Sequence, residues 1–312
     1  MRKRFFSSFI CAGVLVCSLA ACGSEDPSNV DPSPSATRAA AFPVTIQTPD
    51  GQVTIEEQPS AIVSLSPTAT EMLFAIGADY QVEAVDDQSD FPAGVPTTDL
   101  SGFEPNIEAI VSYAPDLVVL ANDIGGVVKG LGKLGVPVLL QPAAATIDDT
   151  YVQIGQLGAV TGHTEEASST VTQMRNEIER IVASAPDGGG TAVYHELDDT
   201  YYSVTSDTFI GQVYSMFGVE NIADEAKGAG SGYPQLSSEY IVDRDPSLIV
   251  LADGECCGQN PATVAARPGW GDLTAVTEGS VIEVDDDVAS RWGPRVVEFM
   301  RAVADGLQGA AA

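Results

Sequence analysis

Histidine is nearly missing from this chain: His163 and His195 are the only two. They lie far apart in sequence, so a nitrogen-rich zinc or manganese centre is not expected. Basic residues are also few, 14 Lys and Arg against 44 Asp and Glu, which gives a formal net charge of −30. A field of that sign repels phosphate backbones and anionic headgroups, so nucleic acid is excluded as a partner. No Gly-x-Ser-x-Gly nucleophile elbow is present, and no carboxylate pair has a spacing that marks a general acid and base. The chain is therefore not expected to be an enzyme. Gly130-Leu-Gly132-Lys-Leu-Gly135 has the glycine spacing of a dinucleotide loop. It follows a predicted helix and precedes a predicted strand, the reverse of the order such a loop needs.

Long apolar runs are equally scarce. Residues 5–19 form one, behind Arg2, Lys3 and Arg4, and it is short for a membrane span. A basic head, an apolar middle and small residues after it make a secretory leader. Leu19-Ala20-Ala21-Cys22 resembles the lipobox of bacterial lipoproteins, which implies cleavage before Cys22 and lipidation there. Residues 1–21 are read as the leader, and residues 22–42, rich in Ser, Pro, Asp and Ala, as a disordered tether. Without the three basic residues of the leader the net charge becomes −33. Of the five cysteines, Cys11 and Cys17 leave with the leader and Cys22 takes the lipid. The adjacent Cys256 and Cys257 stay in the fold, either as a vicinal disulfide or as thiols that are free or linked to another chain.

What is present is a segment that occurs twice. Glu108-Ala-Ile-Val-Ser-Tyr-Ala-Pro115-Asp-Leu-Val-Val-Leu120 recurs as Glu239-Tyr-Ile-Val-Asp-Arg-Asp-Pro246-Ser-Leu-Ile-Val-Leu251, at an offset of 131 (239 − 108). Each copy reads as a short helix, a proline stop and a strand buried on both faces. Around these copies the pattern alternates strand and helix, which predicts parallel sheets. Residues 44–48 and 53–55 flank Pro49-Asp50-Gly51 as a hairpin. Residues 61–65 read as the first parallel strand, with Ser66 as a helix cap and Thr68 and Glu71 supplying a capping box. Strands are predicted at 82–85, 117–120, 136–140, 191–194 and 281–284, with a hairpin-like stretch at 201–204. Helices are predicted at 127–134, 209–217 and 294–307. Residues 164–185, without Gly or Pro, form one long helix with Val171, Met174, Ile178 and Ile181 on one stripe.

The fold class expected is α/β: two Rossmann-like lobes with central sheets flanked by helices, joined by one long helix, with a ligand cleft between them. The boundaries are residues 43–160 for the first lobe, 161–186 for the connecting helix and 187–309 for the second lobe. Ligands of open α/β sheets bind at strand C-termini. The loops expected there carry Asp90, Phe91, Phe103, Asn122 and Asp123 in the first lobe. In the second they carry Tyr201, Tyr202, Tyr233, Asp253, Arg291 and Trp292, and His195 is expected near the cleft. Together they predict a cleft with apolar walls and a few polar handles. His163, before the long helix, is read as a loop or capping residue.

The chain resembles the ABC-transporter substrate-binding proteins for cobalamin and ferric siderophores. The resemblance rests on Ile62-Val-Ser-Leu-Ser-Pro-Thr-Ala-Thr-Glu71, Asn106-Ile-Glu-Ala-Ile110 with Pro115-Asp-Leu-Val118, and the long helix. In the second half it rests on Gly218-Val-Glu-Asn-Ile222, Tyr233-Pro-Gln-Leu-Ser-Ser-Glu239 and Ser290-Arg-Trp-Gly-Pro-Arg295. It implies a monomeric, lipid-anchored receptor on the outer face of the cytoplasmic membrane, with no cofactor or resident metal. Its partners would be permease subunits with a cytoplasmic ATPase, docked through Glu108 and Glu239. A glutamate at a helix start also steadies that helix through its dipole, by about 0.3–1 kcal/mol. Tyr233-Pro234-Gln235 is similar to the cobalamin branch, so a corrinoid is expected ahead of a ferric hydroxamate-type siderophore. Haem comes third, with His195 or a tyrosine as axial ligand. A metal-ion receptor and a lipoprotein enzyme are the rivals.

Overall fold

The computed structural model describes residues 42–310 apart from residue 50; the leader, Cys22 and the tether up to residue 41 lie outside the described residues. A hairpin opens the fold, β1 (Val44–Thr48) antiparallel to β2 (Gly51–Ile55). The first lobe then runs β3 (Ile62–Leu65), α1 (Pro67–Ala75), β4 (Val82–Asp86), β5 (Thr97–Leu100) and α2 (Ile107–Val111). It continues with β6 (Leu117–Leu120), α3 (Val127–Lys133) and β7 (Val138–Leu140). Its five strands are parallel in the order β5-β4-β3-β6-β7. Two helices follow, α4 (Ile147–Thr161) and α5 (Thr164–Ser184).

The second lobe runs β8 (Ala192–Glu196), α6 (Phe209–Met216), β9 (Glu220–Asn221), α7 (Ser238–Arg244) and β10 (Leu248–Leu251). Then come α8 (Gly254–Cys257), α9 (Pro261–Ala265), α10 (Thr274–Thr277), β11 (Val281–Glu283), α11 (Asp286–Ser290) and α12 (Val296–Ala310). Its four parallel strands order as β11-β10-β8-β9. Among the described residues no helix is long and apolar enough to cross a membrane.

The duplicated segment builds the same corner in each lobe. The residues before the two prolines, Ala114 and Asp245, have φ of 49° and 43°. Proline disfavours the right-handed α conformation in the residue before it, and here that residue is left-handed in both copies. The next residue ties the lobe's first strand in place. Asp116 Oδ1 accepts the Ala61 amide at 3.0 Å, and Ser247 Oγ accepts the Ala192 amide at 3.1 Å. Register repeats as well, with Ile62 beside Leu117 and Val193 beside Leu248.

Alternation along these strands divides the apolar side chains between two faces. Val63, Leu65, Val118 and Leu120 enter a core limited to the first lobe, which also holds Ile110 from α2. Tyr194, Ile249 and Leu251 enter one limited to the second lobe, around Trp270. The opposite faces, with Ile62, Leu117, Val193 and Val250, share one core that runs through Met174 and Ile178 of α5 and Phe299 of α12. The two sheets are thus joined through buried apolar contacts as well as by the chain.

Several details differ from the sequence reading. Helix α4 had no predicted counterpart; a capping box between Thr146 and Asp149 starts it and Gly162, left-handed, ends it. Residues 201–204 are not a strand, because the stretch makes one antiparallel bridge, Tyr202 to Gln235. Glu71 is not part of a capping box: Ser66 alone caps α1 by accepting the Ala69 amide, and Glu71 is spent elsewhere.

The interlobe cleft as candidate functional site

A cavity of about 330 Å³ lies where the strand ends of the first lobe face the loop after α11. From the first lobe it is lined by the β3–α1 turn at Ser66 and Pro67, by Asp86 at the end of β4, and by Phe103 and Asn122. Asp287, Ser290, Arg291 and Trp292 close it from the second lobe. A hollow of about 620 Å³ lies elsewhere, between α5 and the start of α12, away from both sets of strand ends.

The polar framework of the cleft is an ion-pair network that crosses between the lobes. Glu71 is 3% exposed on α1 and accepts bonds from Arg291 at 2.9 Å and from Arg295 at 3.0 and 2.6 Å. Arg291 also donates to Asp90 and to the Gln88 carbonyl, both at 3.0 Å, and pairs with Asp287. Arg295 lies over the Phe91 ring at 4.2 Å, a cation–π contact. Trp292 is tied to α4, its carbonyl accepting from the Thr150 hydroxyl and its indole N–H donating to Gln153. The 291–295 loop belongs to the second half of the sequence, yet most of its side-chain hydrogen bonds run to the first half of the chain. Gly102 must be glycine, since a Cβ there would stand 2.8 Å from both Asp86 Oδ2 and the Leu65 carbonyl oxygen.

The predicted site residues divide into groups. Phe103, Asn122, Arg291 and Trp292 line the cavity. Phe103 is 69% exposed and offers a bare ring to a ligand. Asp90 and Phe91 are exposed and engage Arg291 and Arg295. Asp123 accepts the Val128 amide at the start of α3. Tyr202 and Tyr233 are exposed outside the cavity, and Tyr201 stacks on Trp270.

Two expectations fail on burial. Asp253 is wholly buried and does not line the cavity; no donor reaches its carboxylate oxygens, and it meets the Glu196 carboxylate instead. It sits beside Glu196, which Arg267 grips with both guanidinium nitrogens. Burial and that neighbouring carboxylate push Asp253 up to about 8. His195 is likewise not at the cleft. It is fully buried, its Nδ1 lies 2.6 Å from the Tyr214 hydroxyl, and burial pushes it down to about 3. It cannot serve as an axial ligand to haem in the cavity. His163 precedes α5 without capping it through its side chain, and its Nε2 meets the Tyr80 hydroxyl at 3.3 Å.

Cys256 and Cys257 form a vicinal disulfide within α8. The Cys256 amide donates to Asp286 at 3.0 Å, which links this turn to α11. Sequence reading missed Asp86, Gln88 and Asp287. The strand-end rule would have selected Asp86, whereas Asp287 lies in a run of three aspartates that looks like solvated surface. Among the described residues no group of three or more His, Cys, Asp or Glu is arranged to hold a metal ion.

Two matched lobes with parallel sheets and a cleft at the strand ends agree with what the comparisons find. Residues 62–288 match the model of the periplasmic binding protein family. The chain belongs to that family. A Bacillus subtilis protein named as an uncharacterized ABC transporter substrate-binding lipoprotein is 29% identical over 319 residues, covering 98% of each chain. The cobalamin-binding protein of Halobacterium salinarum is 31% identical over 322 residues, covering 98% of this chain and 85% of its own. A solved structure from Staphylococcus epidermidis, a candidate iron-binding periplasmic solute-binding protein, superposes with a TM-score of 0.69 at 25% identity. It covers 80% of this chain and 99% of its own. This periplasmic binding protein is the substrate-binding component of an ABC importer, a class that works outside the cytoplasm with permease and ATPase partners.

Proposed function

We propose that this binding protein captures a cobalamin-type corrinoid in the interlobe cleft and delivers it to its permease, with binding and release as its whole task and no catalysis. The observation that carries this reading is the match to a cobalamin-binding relative over 98% of this chain and 85% of that protein. The cleft is consistent with it, offering an exposed Phe103 and a half-buried Trp292 for an apolar ligand face and Asn122 and Ser290 for its amide rim. A cavity of about 330 Å³ takes part of a corrinoid, so the remainder would lie outside it, where Phe91, Tyr202 and Tyr233 are exposed. The chain would be monomeric and anchored by lipid on Cys22.

A ferric hydroxamate-type siderophore is the second reading, favoured by the likeness to the candidate iron-binding structure. Arg291, the cleft arginine that an anionic siderophore would use, is already held by Glu71, Asp90 and Asp287, which argues for a neutral or cationic chelate.

Glu108 and Glu239 would dock on the permease. Both are exposed in the first turns of α2 and α7, and neither forms an ion pair with another described residue. Equilibrium dialysis of the full chain in detergent against cyanocobalamin, ferrichrome and haemin tests the assignment. Saturable retention of cyanocobalamin is the expected result. Retention of ferrichrome or haemin in its place would overturn the corrinoid.

A further inference from the structure

The carboxylates of the cleft are not all balanced. Glu71, Asp90 and Asp287 each meet Arg291, and Asp285 lies 3.9 Å from Arg295. Asp86 forms no ion pair with any described residue, although it lines the same cavity and is 1% exposed. Its Oδ1 accepts the Ser89 hydroxyl at 2.6 Å, and Ser89 in turn meets Thr70 at 3.0 Å. Its Oδ2 and the Leu65 carbonyl oxygen both crowd Gly102, each 2.8 Å from where a Cβ would stand, so two acceptors close on the same backbone. A carboxylate in such a place gains from a positive charge or a strong donor brought by a ligand.

We propose that Asp86 reads the charge of the ligand, favouring a chelate that carries a positive charge over a neutral one of the same class. This rests on the reading of the cleft as a chelate site and narrows it to cationic members. Glu71, Asp90 and Asp287 use up the charge of Arg291 that would otherwise neutralise Asp86. The groups facing Asp86 are Ser89 and Asp87 beyond its own strand end and Arg291 from the second lobe. Burial raises its carboxyl to about 6; Ser89 and Arg291 oppose the rise and Asp87 adds to it. The charge is therefore present at about pH 7.5 and removed at about pH 5. Burial also raises Asp287, which pairs with Arg291 and is left unchanged in D86N.

The test uses the full chain in detergent and two matched pairs of probes, aquocobalamin against cyanocobalamin and ferrioxamine B against ferrichrome. In each pair the first is a cation and the second is neutral, with aquocobalamin corrected at the higher pH for its neutral hydroxo form. For the pair that binds, the ratio of cation to neutral affinity should be about tenfold larger at about pH 7.5 than at about pH 5. In D86N the ratio should stay within about twofold across the same range, as one charge has been removed. Should D86N not fold, D86S is read in the same way. A wild-type ratio that ignores pH, or a D86N ratio that keeps the full change, overturns the proposal while leaving the chelate site standing. Failure of both pairs to bind overturns the site and the proposal together.

Discussion

Glu71 on the first lobe and Arg295 on the second meet at 2.6 Å, with the carboxylate 2% and the guanidinium 11% exposed. Arg291 shares the same oxygen, so one buried carboxylate holds two arginines of the opposite half of the chain. Removing one partner of a buried pair leaves a charge without compensation, which costs about 3–5 kcal/mol. E71A should therefore lower stability by about that amount in urea unfolding, and E71Q, which still accepts hydrogen bonds, by less. A loss under about 1 kcal/mol for E71A would mean that water already screens the pair.

Asp253 predicts a slope of stability with pH. Its carboxyl, ordinarily near 3.8, is raised to about 8 in the fold by burial and by Glu196. The folded state therefore keeps a proton that the unfolded chain releases. The resulting stabilisation is full below 3.8 and is lost as pH rises through 8. D253N removes the titrating group. The stability difference between wild type and D253N should fall steadily from about pH 4 to about pH 8 in urea titrations. A flat difference would show that Asp253 ionises normally.

Ala114 is exposed and adopts φ of 49°, a region that costs a residue with a Cβ about 1 kcal/mol. A114G should raise the stability by up to about that amount, less the entropy that glycine adds to the unfolded chain. A destabilised A114G would mean that the Ala114 methyl group is packed. Its counterpart Asp245 should not tolerate the same change. Its carboxylate accepts the Thr274 amide and hydroxyl, both at 2.8 Å, so D245G loses two hydrogen bonds, about 1–3 kcal/mol.

The two glutamates at the helix starts predict a separation of binding from transport. E108A combined with E239A should leave chelate affinity within about twofold of wild type and abolish uptake by cells, since rim charges set orientation and encounter. Weakened affinity in dialysis would place these residues in the ligand site.

Much of this architecture was legible because it depends on local pattern. The apolar runs 117–120 and 248–251, the prolines before them and the long helix named the two lobes without any contact in view. Helix α4 escaped because its glycines at 155 and 158 and its run of polar residues blur a stripe that only tertiary packing reveals. The site was less legible. Asp253 and Arg291 look alike in sequence, each a charged residue after a strand. Burial beside Glu196 makes the first a core group, and two lobes meeting makes the second a strut. Glu71 and Arg295 are 224 residues apart. No periodicity links them, and so the tie between the lobes could not be seen before the fold was known.

Tryptophan fluorescence tests the central claim most directly, because the two tryptophans sit in different places. Trp292 lines the cleft, and Trp270 is fully buried with its indole N–H on Ser238. A chelate that enters the cleft should quench the wild-type emission to saturation at one ligand per chain, and W292F should lose that quench while keeping the Trp270 signal. Emission left unchanged by saturating corrinoid, ferric hydroxamate and haem alike would contradict the account.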